Sequence, residues 1–370
     1  MVESGAKYLI FPLLLVACYG TSCTVSQPVT ERDQNVREEQ DAIPDAQNEQ
    51  DEQEKIPDRE KRAILEALIS EVRSIGTVNS FLVRKENQLI TEQYFDRMSP
   101  GQAANIKSAS KSILSLLIGI AIDKGYLESV EQTLETFFPD YFNTHPDRGK
   151  ASITIQDLLT MRSGLQTTSF IYYGEWISSD DWVRFVLDRP LIQERGGRMV
   201  YSTGSSHLLS VILTKASGKN TFEFANEYLL GPMGIEMDPW ERDPQGYFLG
   251  GNDMALTPRD MLKIGQLVMA AGSYNGEQLV SEKWIRDSFE TYTRSPFSHY
   301  DYGYSWWAHT VADYQVTFAW GYAGQYILMF PELDAIVAIT SDIADNNGSR
   351  AYQPRIFSFI ETSLIPYLEM

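Results

Sequence analysis

Cysteine, histidine and positive charge are all scarce in this chain of 370 residues. The two cysteines, Cys18 and Cys23, both lie near the N-terminus, which excludes a disulfide-stapled scaffold. His145, His207, His299 and His309 form no H-x-x-x-H pair, so neither zinc nor any other metal is expected. Lys and Arg number 31 against 50 Asp and Glu, a formal net charge of −19. That balance argues against nucleic acid, whose phosphates reward clustered cations. Internal repeats are also lacking. What the chain does have is apolar content of 43%, with 12% aromatic, enough for a sizeable core in one large domain or two modest ones.

The charge is uneven. Residues 1–30 are neutral overall and contain an uncharged apolar run, 8–17 (YLIFPLLLVA). Such a run is too short to span a bilayer but suits the core of a secretory signal. It ends in Leu15-Val16-Ala17-Cys18, which resembles a bacterial lipobox. The resemblance implies a signal peptide over 1–17 and a diacylglycerol on Cys18. A bacterial cell-envelope location follows, with the lipid bilayer as a partner. Tyr19 in place of Asp allows outer-membrane sorting. Residues 31–60 then carry 12 acids and 4 bases and no aromatic residue. They cannot bury enough apolar surface to offset their ordering entropy, so 18–60 reads as an acidic, disordered tether. Residues 61–370 form one domain of net −11.

That domain opens with Ile64, Leu65, Leu68, Ile69 and Val72 at helical spacing. Residues 80–95 read as a β-hairpin turning at Lys85-Glu86-Asn87, and 108–123 as a long apolar helix. The middle, 126–290, is mostly helical. Strands return at 315–320, 325–330 and 335–340. Strands at both ends around a helical middle predict an α+β fold: one mostly antiparallel sheet built from both termini, flanking helices and an inserted helical subdomain. A cleft between these parts is where a site is expected.

Ser108-Ala109-Ser110-Lys111 is an S-x-x-K sequence at the start of the apolar helix. This spacing puts both side chains on one helix face. A serine hydroxyl needs a base, and a lysine serves as one only where desolvation lowers its pKa. Ile113, Leu114, Leu116, Leu117, Ile118, Ile120 and Ile122 make the helix apolar nearly all round, so Lys111 should enter a buried environment. The bland alternative is that Ser108 caps the helix and Lys111 reaches solvent. The pattern alone is weak, since Ser4-Gly5-Ala6-Lys7 repeats it inside the signal.

Several ordered segments add to it: 106–122 (IKSASKSILSLLIGIAI), 153–165 (ITIQDLLTMRSGL), 200–210 (VYSTGSSHLLS), 255–266 (ALTPRDMLKIGQ), 302–307 (YGYSWW) and 321–330 (GYAGQYILMF). Over roughly residues 78–345 the chain resembles the serine β-lactamase-like hydrolases, with penicillin-binding proteins and class C β-lactamases, and most of all the branch containing 6-aminohexanoate-dimer hydrolase. The resemblance implies a cofactor-free enzyme that cleaves a small amide or ester through an acyl-enzyme on Ser108. Lys111 would be the base, and Tyr201 of Tyr201-Ser202-Thr203 would relay the proton. Thr203 stands where the family usually has Asn.

The third family motif, Lys-Thr-Gly or His-x-Gly, is replaced by Ala319-Trp320-Gly321, which leaves no cation for a substrate carboxylate. Gly321 and Gly324 would allow close main-chain approach, with the N–H groups of Ser108 and Tyr322 as the oxyanion hole. Tyr172, Tyr173, Trp176, Trp306 and Trp307 are candidates for the pocket lining, and His207 is expected to be packed rather than catalytic. Two rivals remain open: a β-lactamase or DD-peptidase, and a catalytically inactive envelope binding protein.

Overall fold

In the computed structural model of the protein, Ile64, Leu65, Leu68, Ile69 and Val72 all fall on helix α1, Ala46–Ser74. The structure describes residues 46–96, 98–344 and 349–370. The signal, Cys18 and the first part of the tether lie outside the described residues. Residues 46–60, expected to be tether, are helical instead. Glu and Gln recur there, and these good helix formers extend the amphipathic turns that follow. The compact unit that carries the sheet is Glu54–Met370. Of the other unit, Met1–Gln53, only the helical residues from Ala46 are described.

The expected hairpin is β1, Val78–Lys85, and β2, Gln88–Tyr94. Glu86 and Asn87 close it with φ of 47° and 65°, both left-handed, as a two-residue turn between right-twisted strands requires. The apolar helix is α2, Ser110–Asp123, and the chief helices of the middle are α3, Thr203–Ser217, and α4, Pro258–Met269. The chain then returns through β3, Thr293–Arg294, and β4, Asp301–Tyr302. Next come β5, Trp307–Val311, β6, Tyr314–Gly321, β7, Gln325–Phe330, and β8, Ala335–Ser341. Helix α5, Ser349–Phe359, leads into the C-terminal turns.

All eight strands join one antiparallel sheet in the order β2-β1-β8-β7-β6-β5-β4-β3. The two ends of the domain meet inside the sheet, where Phe81 of β1 stands opposite Ile339 of β8. Both faces of the sheet are covered here, which explains why β7 and β8 read as largely apolar runs. Phe81, Val83, Leu328 and Val337 pack with Leu68 and Val72 of α1 and Ile356 of α5. Leu82, Ile327, Met329 and Ala338 face α2 and α4.

Helix α2 differs from expectation at its start. Its α-helical residues begin at Ser110, and Ser108 stands on a single 3₁₀ turn, Lys107–Ala109. Lys107 has a φ of 51°, a conformation that costs a side-chain-bearing residue of order 1 kcal/mol or more. Inside the helix, Ile113, Leu116, Leu117, Ile118 and Ile120 are at most 1% exposed. Each contributes roughly 1.5–3 kcal/mol of burial, enough together to carry a lysine on the first turn into the interior.

Candidate active site

Lys111 is 2% exposed, and its ammonium meets three oxygens. Nζ lies 3.1 Å from Ser108 Oγ, 3.3 Å from Thr203 Oγ1 and 2.6 Å from the carbonyl oxygen of Gly251. It also stands over the Tyr201 ring, 5.2 Å from the centroid. Tyr201 and Ser108 line the same cavity. Burial pushes the Lys111 pKa down to about 7, against the opposing pull of the Asp253 carboxylate. Burial likewise pushes Tyr201 up to about 12, partly offset by the neighbouring Ser108 hydroxyl. Near neutral pH the lysine can therefore shed its proton while the phenol keeps its own.

Three stretches of chain hold these groups in place. The first is the 3₁₀ turn under Ser108, where Ser110 Oγ donates to the Lys107 carbonyl and the Ile106 N–H donates to the Met254 carbonyl. The second is the hydroxyl run Thr167-Thr168-Ser169, which grips the start of α3. Thr167 Oγ1 donates to the Tyr201 carbonyl at 2.7 Å, the Gly204 N–H donates to Thr168 Oγ1 at 2.8 Å, and the Thr203 N–H donates to Ser169 Oγ at 2.8 Å. Thr203 Oγ1 then bridges Ser169 and Lys111. The third is the segment 250–253. Gly251 has a φ of +82°, and a Cβ there would stand 2.5 Å from Lys111 Cγ, so only glycine admits the lysine so close to its carbonyl.

His207 steadies that third stretch from behind. Fully buried, it accepts the Gly250 N–H at Nδ1, which leaves the proton on Nε2 to be donated to Asp243 at 2.9 Å. It is the packed, hydrogen-bonded histidine expected from the sequence.

Ser108 opens on a cavity of about 650 Å³ lined also by Phe170, Tyr201, Phe297, Trp307, Trp320, Gly321, Tyr322 and Gln353. Of the expected pocket aromatics, Trp307 lines it and four others do not. Trp176 is fully buried, donates its indole N–H to the Trp182 carbonyl and packs on His207. Trp306 is buried in the core. The Tyr172 ring carries the Arg189 guanidinium and its hydroxyl accepts from Gln166, while Tyr173 accepts from Asn252. Each of the four is taken up by neighbours that sequence spacing does not reveal. Gly321 and Tyr322 border the cavity. Gly324 instead lies at the turn against Ser341, with a φ of 96°.

Sequence reading missed the Gly251 carbonyl, Asp253, the hydroxyls of 167–169, and Phe170, Phe297, Trp320 and Gln353. The paired glycines Gly250-Gly251 were a signal of close backbone approach. The rest come from loops and short turns, from the end of β6 and from α5, whose convergence depends on the tertiary fold.

An antiparallel sheet flanked by helices, with a serine and a buried lysine at its edge, defines a serine hydrolase of the α+β class. The profile of the Beta-lactamase family matches residues 65–356, and the chain belongs to that family. It is 21% identical over 291 residues to a 6-aminohexanoate-dimer hydrolase of Paenarthrobacter ureafaciens, covering 72% of this chain and 73% of that one. Among solved structures, a Bacillus anthracis protein provisionally described as a 6-aminohexanoate-dimer hydrolase superposes with a TM-score of 0.69 at 18% identity, covering 81% of each chain. The octameric penicillin-binding protein homologue of Pyrococcus abyssi gives 0.64 at 18% identity, over 82% of this chain and 77% of that one. At such identities the structural likeness is one of fold.

Proposed function

We propose that the protein hydrolyses an amide or ester with an uncharged, apolar acyl group, through an acyl-enzyme on Ser108. Neutral Lys111 accepts the Ser108 proton as Oγ bonds to the substrate carbonyl carbon, and the carbonyl π pair moves onto oxygen. The N–H groups of Ser108 and Tyr322 receive that oxyanion. When the tetrahedral centre collapses, the leaving nitrogen or oxygen takes the Tyr201 proton, and the Lys111 ammonium restores it. Water then attacks the acyl-enzyme, giving its proton back through the same pair and releasing Ser108. Thr203 and Gly251 hold the lysine through both halves.

The observation that carries this reading is the buried Lys111 amine 3.1 Å from Ser108 Oγ. The aromatic lining supports an apolar acyl group. No cation is among the described residues that line the cavity, which counts against a β-lactam or peptidoglycan substrate held by its carboxylate. A fluorophosphonate probe followed by intact mass tests the nucleophile. One adduct is expected on the wild type and none on Ser108→Ala, whereas an unlabelled wild type would favour a binding protein. Fast turnover of a chromogenic cephalosporin would overturn the substrate ranking.

We also propose that Cys18, outside the described residues, is lipidated and holds the enzyme at the bacterial envelope. Cys18→Ser should move the protein from the membrane to the soluble fraction; unchanged membrane association would refute the anchor.

A further inference from the structure

Two residues in the left-handed region flank the lysine. Lys107, φ 51°, immediately precedes Ser108, and Asp253, φ 64°, follows the Gly251 carbonyl by two residues. They are joined by an ion pair, Lys107 Nζ to Asp253 Oδ1 at 3.0 Å, with both side chains about four-fifths buried. The same carboxylate oxygen accepts from Asn105 Nδ2 at 2.7 Å, and Asn105 Oδ1 in turn accepts the Lys107 N–H at 2.9 Å. Asp253 thus grips the turn under the nucleophile through its side chain. Its own backbone belongs to the stretch that supplies the lysine's carbonyl partner. Neither residue belongs to the S-x-x-K or tyrosine motifs.

We propose that Asp253 is a positioning residue: it ties the left-handed turn that presents Ser108 to the segment that presents the Gly251 carbonyl. A turn at this φ relaxes unless its surroundings over-determine it, and Asn105, Asp253 and Met254 are the groups that do so here. The charge has a separate consequence. The Asp253 carboxylate favours the ammonium form of Lys111 and so opposes the effect of burial. Lys107 neutralises part of that carboxylate. The other titratable neighbours of Asp253 are Glu241, pushed up by desolvation and the Asp253 charge, and Tyr173, pushed up to about 12 chiefly by burial. Around Lys111 itself, Ser108, Tyr201, Thr203 and the Gly251 carbonyl complete the shell.

The pair therefore acts as an adjustable counter-charge behind the base. Removing the anion should make Lys111 easier to deprotonate, and removing the cation should make it harder. A role in turn geometry alone would slow the reaction without moving its pH dependence.

This inference rests on reading Ser108 and Lys111 as nucleophile and base. The test is the rate of fluorophosphonate labelling of the full chain across pH, followed by intact mass, for the wild type, Asp253→Asn and Lys107→Met. Asp253→Asn should label about tenfold more slowly at its plateau, with the acid limb moved down by about 0.5–1 pH unit. Lys107→Met should move the limb up by a similar amount, which keeps the test open if Asp253→Asn does not fold. Limbs unmoved in the variants that fold, or moved in one direction in both, would overturn the role of Asp253 alone. A wild type that takes no adduct would overturn the underlying assignment of Ser108, and the role of Asp253 with it.

Discussion

A Cβ placed on Gly321 would stand 2.1 Å from the carbonyl oxygen of Ile106, two residues before Ser108. The end of β6 and the turn that carries Ser108 are therefore in direct backbone contact, with no side chain between them. The N–H of Tyr322 comes next in the chain, on the rim of the cavity. Gly321 sets how near the sheet edge comes to Ser108.

Gly321→Ala tests this contact. The methyl group meets backbone on one side and Gln325 on the other, so the strand or the turn must shift. Overpacking of this kind costs about 1–3 kcal/mol. The expected result is a lower melting temperature and a loss of fluorophosphonate labelling larger than the stability change explains. Gly324→Ala is the control. Its φ of 96° predicts a stability loss, but it does not line the cavity, so labelling should fall little below the melting temperature. Equal labelling losses in both variants would refute a specific role for Gly321.

Much of this architecture is legible without coordinates, and the reasons differ by element. The hairpin announced itself through alternation and the Glu86-Asn87 turn, both local signals. Helix α2 was legible because a helix apolar all round has only one place to go. Lys111 was legible for the same reason, as a charge inside that helix. The 3₁₀ turn at Lys107 was not, since Asp253, from elsewhere in the fold, holds both Lys107 and the Asn105 that accepts its N–H. Trp176 misled because an aromatic near a cleft and one packed in the core look alike in sequence. His207 and Trp182 settle the matter only by being beside it. Gln353 was out of reach, since α5 meets the cavity only after β8 has closed the sheet onto β1.

The depressed pKa of Lys111 predicts the shape of the pH profile. Only the neutral amine can accept the serine proton, so the rate should fall about tenfold per unit below pH 7 and level off above it. The same shift acts on stability. Unfolded, the lysine keeps its proton to about its ordinary 10.5, whereas folded it releases it near 7. Between those values the unfolded chain binds more protons, so this residue favours folding increasingly as pH rises; below 7 its contribution is flat. Lys111→Arg should be inactive across this range, because a guanidinium stays protonated. Labelling of Lys111→Arg at the wild-type rate, or an acid limb near pH 4, would show that another group is the base.

Phe297 provides the measure of substrate class. It is 46% exposed, yet its ring meets Tyr201 at 6.0 Å, Trp307 at 5.9 Å and Phe170 at 6.1 Å between centroids. These contacts make one wall of the cavity that Ser108 opens on. A residue this exposed contributes little to folding, so Phe297→Ala should melt within a few degrees of the wild type. Its effect belongs to the bound state, where an apolar acyl group loses part of a side-chain contact worth about 1–2 kcal/mol, or roughly 5–30-fold in kcat/KM. Across a series of p-nitrophenyl esters, the loss should be small for acetate and grow with acyl length. Losses of equal size along the whole series would place Phe297 outside the acyl site and leave the aromatic wall without a part in specificity.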